Sequence, residues 1–296
     1  MRDSFSSIHP IINFYFFCVV LTITMLVMQP IFLATSLFSA AFYAIYQKGR
    51  KALKFQLCAV LPLIILMAIS NPLFNHAGVT ILFYLSNGNP VTLESVAYGA
   101  SAAVMFASVI IWFSCYNNVM TSDKFIYLFG RIIPSLSLLL SMALRFVPRF
   151  KEQIKEVTSA QRMIGNYVSK GNVLKRVICA MKILSITVTW ALENAVVTAD
   201  SMKSRGYGHR GRTAYSIYSF YTRDKLLLAA MVLLSVGFIG CLLSGAIYMR
   251  YFPSIKQNHS GVLAIAGYVF YGVFCNIPML LNLKEEYTWT SLQQKI

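Results

Sequence analysis

Long uncharged apolar stretches alternate with short polar segments along most of this chain. A helix needs about 20 apolar residues to cross the hydrocarbon core of a bilayer, within a range of about 17–25. Six stretches reach or approach that length, at residues 11–28, 31–46, 55–74, 95–119, 226–249 and 261–283. The pattern therefore predicts an all-α fold of polytopic membrane helices with six spans.

The lysines and arginines between these stretches predict an orientation, because cytoplasmic loops carry an excess of positive charge. The loop between the second and third spans is basic, whereas residues 75–94 contain no lysine or arginine. The loop between the second and third spans is therefore expected in the cytoplasm and residues 75–94 outside. With six spans, both termini are expected in the cytoplasm. Arg250 and Lys256 lie on the opposite side from the one that this rule favours.

About a hundred residues separate the fourth and fifth spans, too many for a simple loop. Residues 125–144 are apolar but are interrupted by Arg131 and Pro134. An arginine costs about 2.5–3.5 kcal/mol near the bilayer centre on insertion scales. A helix at the cytoplasmic interface is favoured here, and a seventh span is the competing interpretation.

Two amphipathic helices are predicted next, because apolar residues recur every three or four positions. The first has its apolar positions at Phe146, Phe150, Ile154, Val157 and Ile164. The second is expected over residues 172–205, about 50 Å long if it is helical throughout. Its apolar stripe includes Leu174, Val177, Ile178, Met181, Val188, Leu192, Ala195 and Met202. The predicted organisation is a membrane domain at 1–119, a cytoplasmic domain of long helices inserted at 120–213, and a second membrane domain with a short cytoplasmic tail at 214–296.

Composition supports the membrane assignment and localises the charge. Hydrophobic residues make up 57% of the chain and charged residues 12%, against about 25% in typical soluble domains. The net charge is +16, and residues 145–213 hold 13 of the 26 basic residues with four acidic ones. Because half of the basic residues lie in one segment between apolar stretches, a protein or lipid partner is expected there and no nucleic acid.

No pattern of catalytic or metal-binding residues is present in the sequence. There is no phosphate-binding P-loop, the four histidines are far apart, and the six cysteines occur singly. We therefore expect no catalytic residue, no metal and no cofactor. Gly206, Gly208 and Gly211 form a G-x-G-x-x-G pattern, but it follows a predicted helix, whereas a dinucleotide site requires a preceding strand.

Several short motifs resemble the transmembrane T component of energy-coupling factor transporters. They include Ser-Met-Ala-Leu-Arg-Phe-Val-Pro at 141–148, Trp-Ala-Leu-Glu-Asn at 190–194 and Ala-Asp-Ser-Met-Lys-Ser-Arg-Gly-Tyr-Gly at 199–208. His9-Pro10 and Asn71-Pro72-Leu73 resemble shorter family motifs, and the resemblance covers roughly residues 8–250.

The resemblance implies a coupling subunit without enzymatic activity. In that family, two coupling helices dock through arginine triplets on two ATP-binding-cassette ATPases, and a membrane-embedded S component binds the substrate, a vitamin or related micronutrient. The triplets correspond to Gln161, Arg162 and Met163, and to Ser204, Arg205 and Gly206. Gln161 and Met163 are bulkier than the family's usual small residues. The S component is expected on Phe146, Phe150, Ile154, Val157, Met181, Val188, Leu192 and Ala195.

Other interpretations stay open at this point. The two arginines could serve only to compensate the dipoles of their helix C-termini, each contributing about 0.3–1 kcal/mol. The chain could be the T-type subunit of a dedicated cobalt or nickel importer, or a scaffold on anionic lipid. A lipid-acting membrane enzyme would need an acidic pair, for which Glu193 and Asp200 are the nearest candidates.

Overall fold

Helices account for most of the computed structural model, which describes residues 3–84, 88–130, 133–166, 172–207, 218–258 and 261–293. The helices are α1 (Ser4–Ser7), α2 (Pro10–Leu26), α3 (Pro30–Lys48), α4 (Arg50–Phe55), α5 (Leu61–Phe74), α6 (Leu93–Val119), α7 (Ser122–Gly130), α8 (Pro134–Met163), α9 (Val173–Ser204), α10 (Thr222–Leu243) and α11 (Val262–Gln293). A π-helical turn, Gln56–Val60, joins α4 to α5. Two antiparallel hairpins pair β1 (Ile81–Tyr84) with β2 (Pro90–Thr92) and β3 (Tyr248–Arg250) with β4 (Lys256–Asn258).

Five helical segments are long and apolar enough to cross a membrane within the described residues. They are α3, the continuous segment Arg50–Phe74, α6, α10 and α11. The predicted first span corresponds to α2, which has 17 residues and lies at the short end of the range for a span. The all-α polytopic membrane fold predicted from the sequence is thereby confirmed.

Two span boundaries differ from the predicted ones. The fifth predicted stretch ends at Leu243, six residues early, because Gly245 has a positive φ of 70° and the β3–β4 hairpin follows. The last helix continues ten residues past position 283, through Lys284, Glu285 and Glu286. The Glu285 carboxylate forms an ion pair of 3.0 Å with Arg223 at the start of α10.

The segment predicted as one interfacial helix over 125–144 contains two helices. α7 ends at Gly130, and α8 begins at Pro134 and runs without a break to Met163. Pro134 starts the helix because the missing N–H of a proline costs nothing in the first turn. Arg131 lies outside the described residues.

Backbone contacts divide the chain into two compact units. One comprises Met1–Phe125 and Tyr218–Ile296, and the other comprises Ile126–Ile217. The first unit contains the five long apolar segments and α2, and the second contains α8 and α9.

The first unit, called the membrane unit from here on, has an aromatic core. Phe16, Phe17 and Trp112 are fully buried and contact one another edge to face, with ring centroids 5.3–6.2 Å apart. The Trp112 indole donates a hydrogen bond of 3.0 Å to the Ser36 hydroxyl, which satisfies a polar group that would be costly to bury unpaired.

Polar contacts near the N-terminus tie helix ends together on one side of this unit. The Asp3 carboxylate accepts hydrogen bonds from the Tyr43 hydroxyl at 2.8 Å, Gln47 at 2.7 Å and Asn282 at 2.7 Å. The Lys48 ammonium donates to the Ser114 carbonyl at 2.9 Å. The start of α1 therefore lies with the end of α3 and the second half of α11, and the end of α3 contacts the last turns of α6.

A smaller set of polar contacts joins helix ends on the opposite side of this unit. The Tyr251 hydroxyl lies 2.7 Å from both the Met28 carbonyl oxygen and the Ser101 hydroxyl, and Asn71 donates to the Ser95 carbonyl at 2.7 Å. Successive helical segments of this unit consequently alternate in direction between the two sides.

Lys124 of α7 is a buried cation on the first side. Its ammonium donates to the Val119 carbonyl at 2.8 Å, at the C-terminus of α6, and to the Ser6 backbone and side chain. Burial lowers the pKa of this amine, and the nearby Asp3 carboxylate opposes that shift. The side chain thus closes the end of α6 and holds α1 against it.

Gly99 allows a close approach between α5 and α6. A Cβ added there would lie 2.9 Å from the Asn71 Cβ and 3.0 Å from the Ala68 carbonyl oxygen. Small residues permit such helix approaches in membranes. We expect Gly99→Ala to destabilise the protein by about 1–3 kcal/mol, the usual cost of overpacking.

The matched control is Gly240→Ala in α10, where an added Cβ meets no atom within 4 Å. Thermal unfolding in detergent should show a lower midpoint for Gly99→Ala alone. Equal midpoints for the two variants would contradict the tight α5–α6 contact.

Candidate partner-docking site

Two long helices, α8 and α9, form the second unit. They contain 30 and 32 residues, which corresponds to about 45 and 48 Å. Asn172 caps the start of α9 by accepting a hydrogen bond of 2.8 Å from the Val173 backbone N–H. The predicted start of the second amphipathic helix at residue 172 therefore lies within one residue of the observed helix.

The two helices pack through a small apolar contact near their middles. The Phe150 ring meets Trp190 edge to face, with centroids 5.8 Å apart and planes at 77°. Val157, Cys179 and Ile183 form a buried cluster, each less than 9% exposed. Because later residues of α8 meet earlier residues of α9, the helices cross in an antiparallel sense.

This direction separates the two C-terminal ends. Measured from the Phe150–Trp190 contact at 1.5 Å per residue, the end of α8 lies about 20 Å along its helix and the end of α9 about 21 Å along its own. With opposite directions the two ends are on the order of 30–40 Å apart. Here we call residues 161–166 the α8 tip and residues 202–207 the α9 tip.

Both tips end in the same hydrogen-bonded cap. In α8, Gly165 has a φ of 85°, its N–H donates to the Arg162 carbonyl at 3.1 Å, and the Asn166 N–H donates to Gln161 at 2.9 Å. This is the Schellman arrangement, in which a glycine with positive φ ends the helix.

The α9 tip repeats each of these features. Gly206 has a φ of 79°, its N–H donates to the Lys203 carbonyl at 3.0 Å, and the Tyr207 N–H donates to Met202 at 3.0 Å. The last residues before the two glycines, Ile164 and Arg205, have nearly equal dihedral angles of −84°, 4° and −84°, 9°.

The matching caps align the two tips residue by residue. Arg205 corresponds to Ile164, and Arg162 corresponds to Lys203. The two predicted triplets consequently occupy different positions in the cap. Gln161, Arg162 and Met163 lie two to four residues before the capping glycine, whereas Ser204, Arg205 and Gly206 end at it.

Sequence reasoning overlooked Ile164 as a tip residue. Its spacing placed it on the apolar stripe of the first amphipathic helix, yet it is 73% exposed, and Met163 is 88% exposed. The equal positions of Gly165 and Gly206 after the two helices were the signal that could have identified it.

The residues predicted for the S component divide into two groups. On α8, Phe146 packs on Phe150, and Phe150 and Val157 belong to the contact with α9, while Ile154 is 42% exposed. On α9 all the predicted residues, Met181, Val188, Leu192 and Ala195, are exposed. They lie about 120–180° around the helix from Ile183, because successive residues are 100° apart. The exposed stripe of α9 therefore faces away from α8.

The described residues contain no group of three histidine, cysteine, aspartate or glutamate side chains that could hold a metal ion. Glu193 and Asp200 are both exposed on α9. In the G-x-G-x-x-G pattern, Gly206 caps α9, and the other two glycines lie outside the described residues.

Comparison with curated proteins identifies similar chains over part of the sequence. The energy-coupling factor transporter transmembrane protein of Lactobacillus helveticus is 34% identical over 103 residues, 34% of this chain and 37% of the relative. The protein of the same name from Lactococcus lactis subsp. cremoris is 31% identical over 105 residues, 35% of this chain and 40% of the relative.

The chain is similar to energy-coupling factor transmembrane proteins. This finding confirms the resemblance inferred from the motifs, over about a third of the chain. The matched segment spans about two fifths of the length of these curated relatives. No protein-family model matches the chain.

The small α8–α9 contact should be sensitive to single truncations. Ile183→Ala removes a buried side chain and should weaken the pairing by about 2 kcal/mol or more. If opening precedes cleavage, trypsin should then cut this unit roughly 30-fold faster in detergent-solubilised protein.

Leu184→Ala is the matched control, because Leu184 is the next residue and is 62% exposed. Equal cleavage rates for the two variants would contradict the contribution of this cluster to the pairing of α8 with α9.

Proposed function

We propose that this chain is the transmembrane coupling subunit of an energy-coupling factor importer. In this proposal it links two ATP-binding-cassette ATPases to a membrane-embedded S component for the uptake of vitamins or related micronutrients. The observation that carries the proposal is the antiparallel α8–α9 pair, with two identically capped tips directed apart. The partial similarity to transmembrane proteins of energy-coupling factor transporters supports it.

The α8–α9 unit has the properties of a mechanical link. Helices about 45 and 48 Å long cross at one packed contact, so movement of a tip is transmitted along the helix to the crossing. Two tips on the order of 30–40 Å apart suit two separate ATPases, one at each tip. The basic charge of residues 145–213 supports a cytoplasmic location, where ATP is available.

The exposed stripe of α9 is the proposed S-component surface. Leu192 is 65% exposed and Met181 is 63% exposed, on the side of the helix that α8 leaves uncovered. An apolar face of this kind suits a hydrophobic partner. Substrate specificity then resides in the S component, and ATP hydrolysis in the cassettes, since this sequence contains no P-loop.

The Arg205 guanidinium should bind a carboxylate of one ATPase. A hydrogen bond to a charged group is worth about 1.5–3 kcal/mol, so Arg205→Ala should weaken that contact roughly 10- to 150-fold. Arg205→Lys should be nearly as harmful, because an ammonium keeps the charge but loses the planar fork that binds two oxygens. Co-purification of the ATPases and substrate uptake are the measurements.

Lys203→Ala is the control at the same tip, because Lys203 is also exposed and basic but lies two residues earlier. If the arginine only compensates the helix dipole, Arg205→Lys would behave as the wild type and Arg205→Ala would cost little. That result would remove the coupling role of Arg205.

Leu192→Glu tests the S-component surface. A charge buried without a partner in a dry interface is strongly penalised, so this variant should lose the S component and retain the ATPases. The control is Val173→Glu, which adds the same charge to the same helix at a residue 70% exposed, about 28 Å from Leu192 along the helix axis. Wild-type amounts of the S component with Leu192→Glu would show that the stripe contacts something else.

A further inference from the structure

We infer that the two tips bind their ATPases by different chemistry: the α8 tip docks through Met163 and Ile164 in an apolar groove, and Arg162 is not its docking group. This inference rests on the proposed function, and it adds Ile164, which the motif comparison did not assign. The α9 tip, by contrast, presents Arg205.

The cap alignment is the first observation. Ile164 occupies in α8 the position that Arg205 occupies in α9, with nearly equal backbone angles and the same pair of closing hydrogen bonds. If both tips enter grooves in the same way, the side chain that enters from α8 is apolar.

The direction of Arg162 is the second observation. Two residues along a helix are about 200° apart, so Arg162 and Ile164 project to opposite sides of the α8 tip. A groove that receives Ile164 therefore faces away from the Arg162 guanidinium. The same relation holds between Lys203 and Arg205 at the α9 tip.

Exposure is the third observation. Met163 is 88% exposed and Ile164 is 73% exposed, next to each other at the end of a helix. Burial of one such side chain in a partner is worth roughly 10- to 150-fold in affinity. Arg162 on the opposite side stays in water and keeps the tip soluble when no ATPase is bound.

A side-chain hydrogen bond also braces the α8 tip. Besides the two backbone hydrogen bonds of the cap, the Asn166 side-chain amide donates a hydrogen bond of 2.8 Å to the Gln161 side-chain oxygen. A fixed tip loses little conformational entropy on docking, which raises affinity for a groove of matching shape. Lipid and the S component are the other possible occupants, and the experiment below distinguishes them.

The experiment measures how tightly the detergent-solubilised chain binds the cassette ATPases that co-purify with it from its own membranes. The variants are Ile164→Ser, Met163→Ser and Arg162→Ala, and Ile164→Met is the conservative control. We expect the two serine variants to weaken binding at least about ten-fold. Arg162→Ala and Ile164→Met should stay within about two-fold of the wild type.

A photo-crosslinking residue in place of Ile164, and in a second variant in place of Arg162, identifies the occupant directly. The first should capture a cassette ATPase and the second should not. Crosslinks from position 164 to lipid or to the S component would overturn the inference, as would loss of binding with Arg162→Ala but not with Ile164→Ser. A wild-type chain that retains no cassette ATPase would instead overturn the proposed function itself.

Discussion

The edge-to-face contact between Phe150 and Trp190 joins the two helices on which the proposed coupling depends. About two turns beyond it along α8, Val157 is buried with Cys179 and Ile183, so the two contacts together set an antiparallel crossing. An aromatic pair is worth only about 0.5–1.5 kcal/mol beyond its buried area. The contact between α8 and α9 is therefore weak, and the helix segments on either side of it remain exposed.

The membrane unit solves a different problem, since the bilayer core offers no water to its backbone. Helices satisfy their own N–H and C=O groups, and this leaves only the helix ends to be paired. Asp3 and Lys124 supply partners at one side, and Tyr251 does so at the other. These polar contacts fasten each side of the unit, and Asp3 does so through the Tyr43 hydroxyl, whose buried ring packs against Trp112.

The membrane helices were predictable because a long stretch without charge has few alternatives to a span. Helix bounds were less so. Pro134 interrupts the apolar pattern and suggests a break within a helix, whereas it begins α8, since a first-turn proline forfeits no hydrogen bond. The predicted last span ended at residue 283 because charged residues follow it. The helix itself continues through Lys284, since polar residues do not end a helix outside the bilayer core.

The candidate site was predictable in outline, and its register was not. Helical spacing identified Phe150 and Val157 as apolar positions, but spacing alone does not distinguish a residue that meets α9 from one that meets another protein. Val188 and Leu192 of the α9 stripe point away from α8. This follows because Ile183 and Thr187, on the other side of the same helix, are the buried residues. Only the three-dimensional pairing determines that choice.

The tips show why a motif and a cap are different kinds of information. An arginine near a helix end attracts attention because it carries charge, and on that basis Arg162 and Arg205 look equivalent. The backbone distinguishes them: a glycine with positive φ defines where each helix ends, and the residue just before it projects at a fixed angle. Counted from Gly165 and Gly206, the equivalent of Arg205 is Ile164. Two helices that share a cap therefore present an apolar side chain in α8 and a cation in α9 at the same position, a difference by which each tip would recognise its own groove under the proposed function.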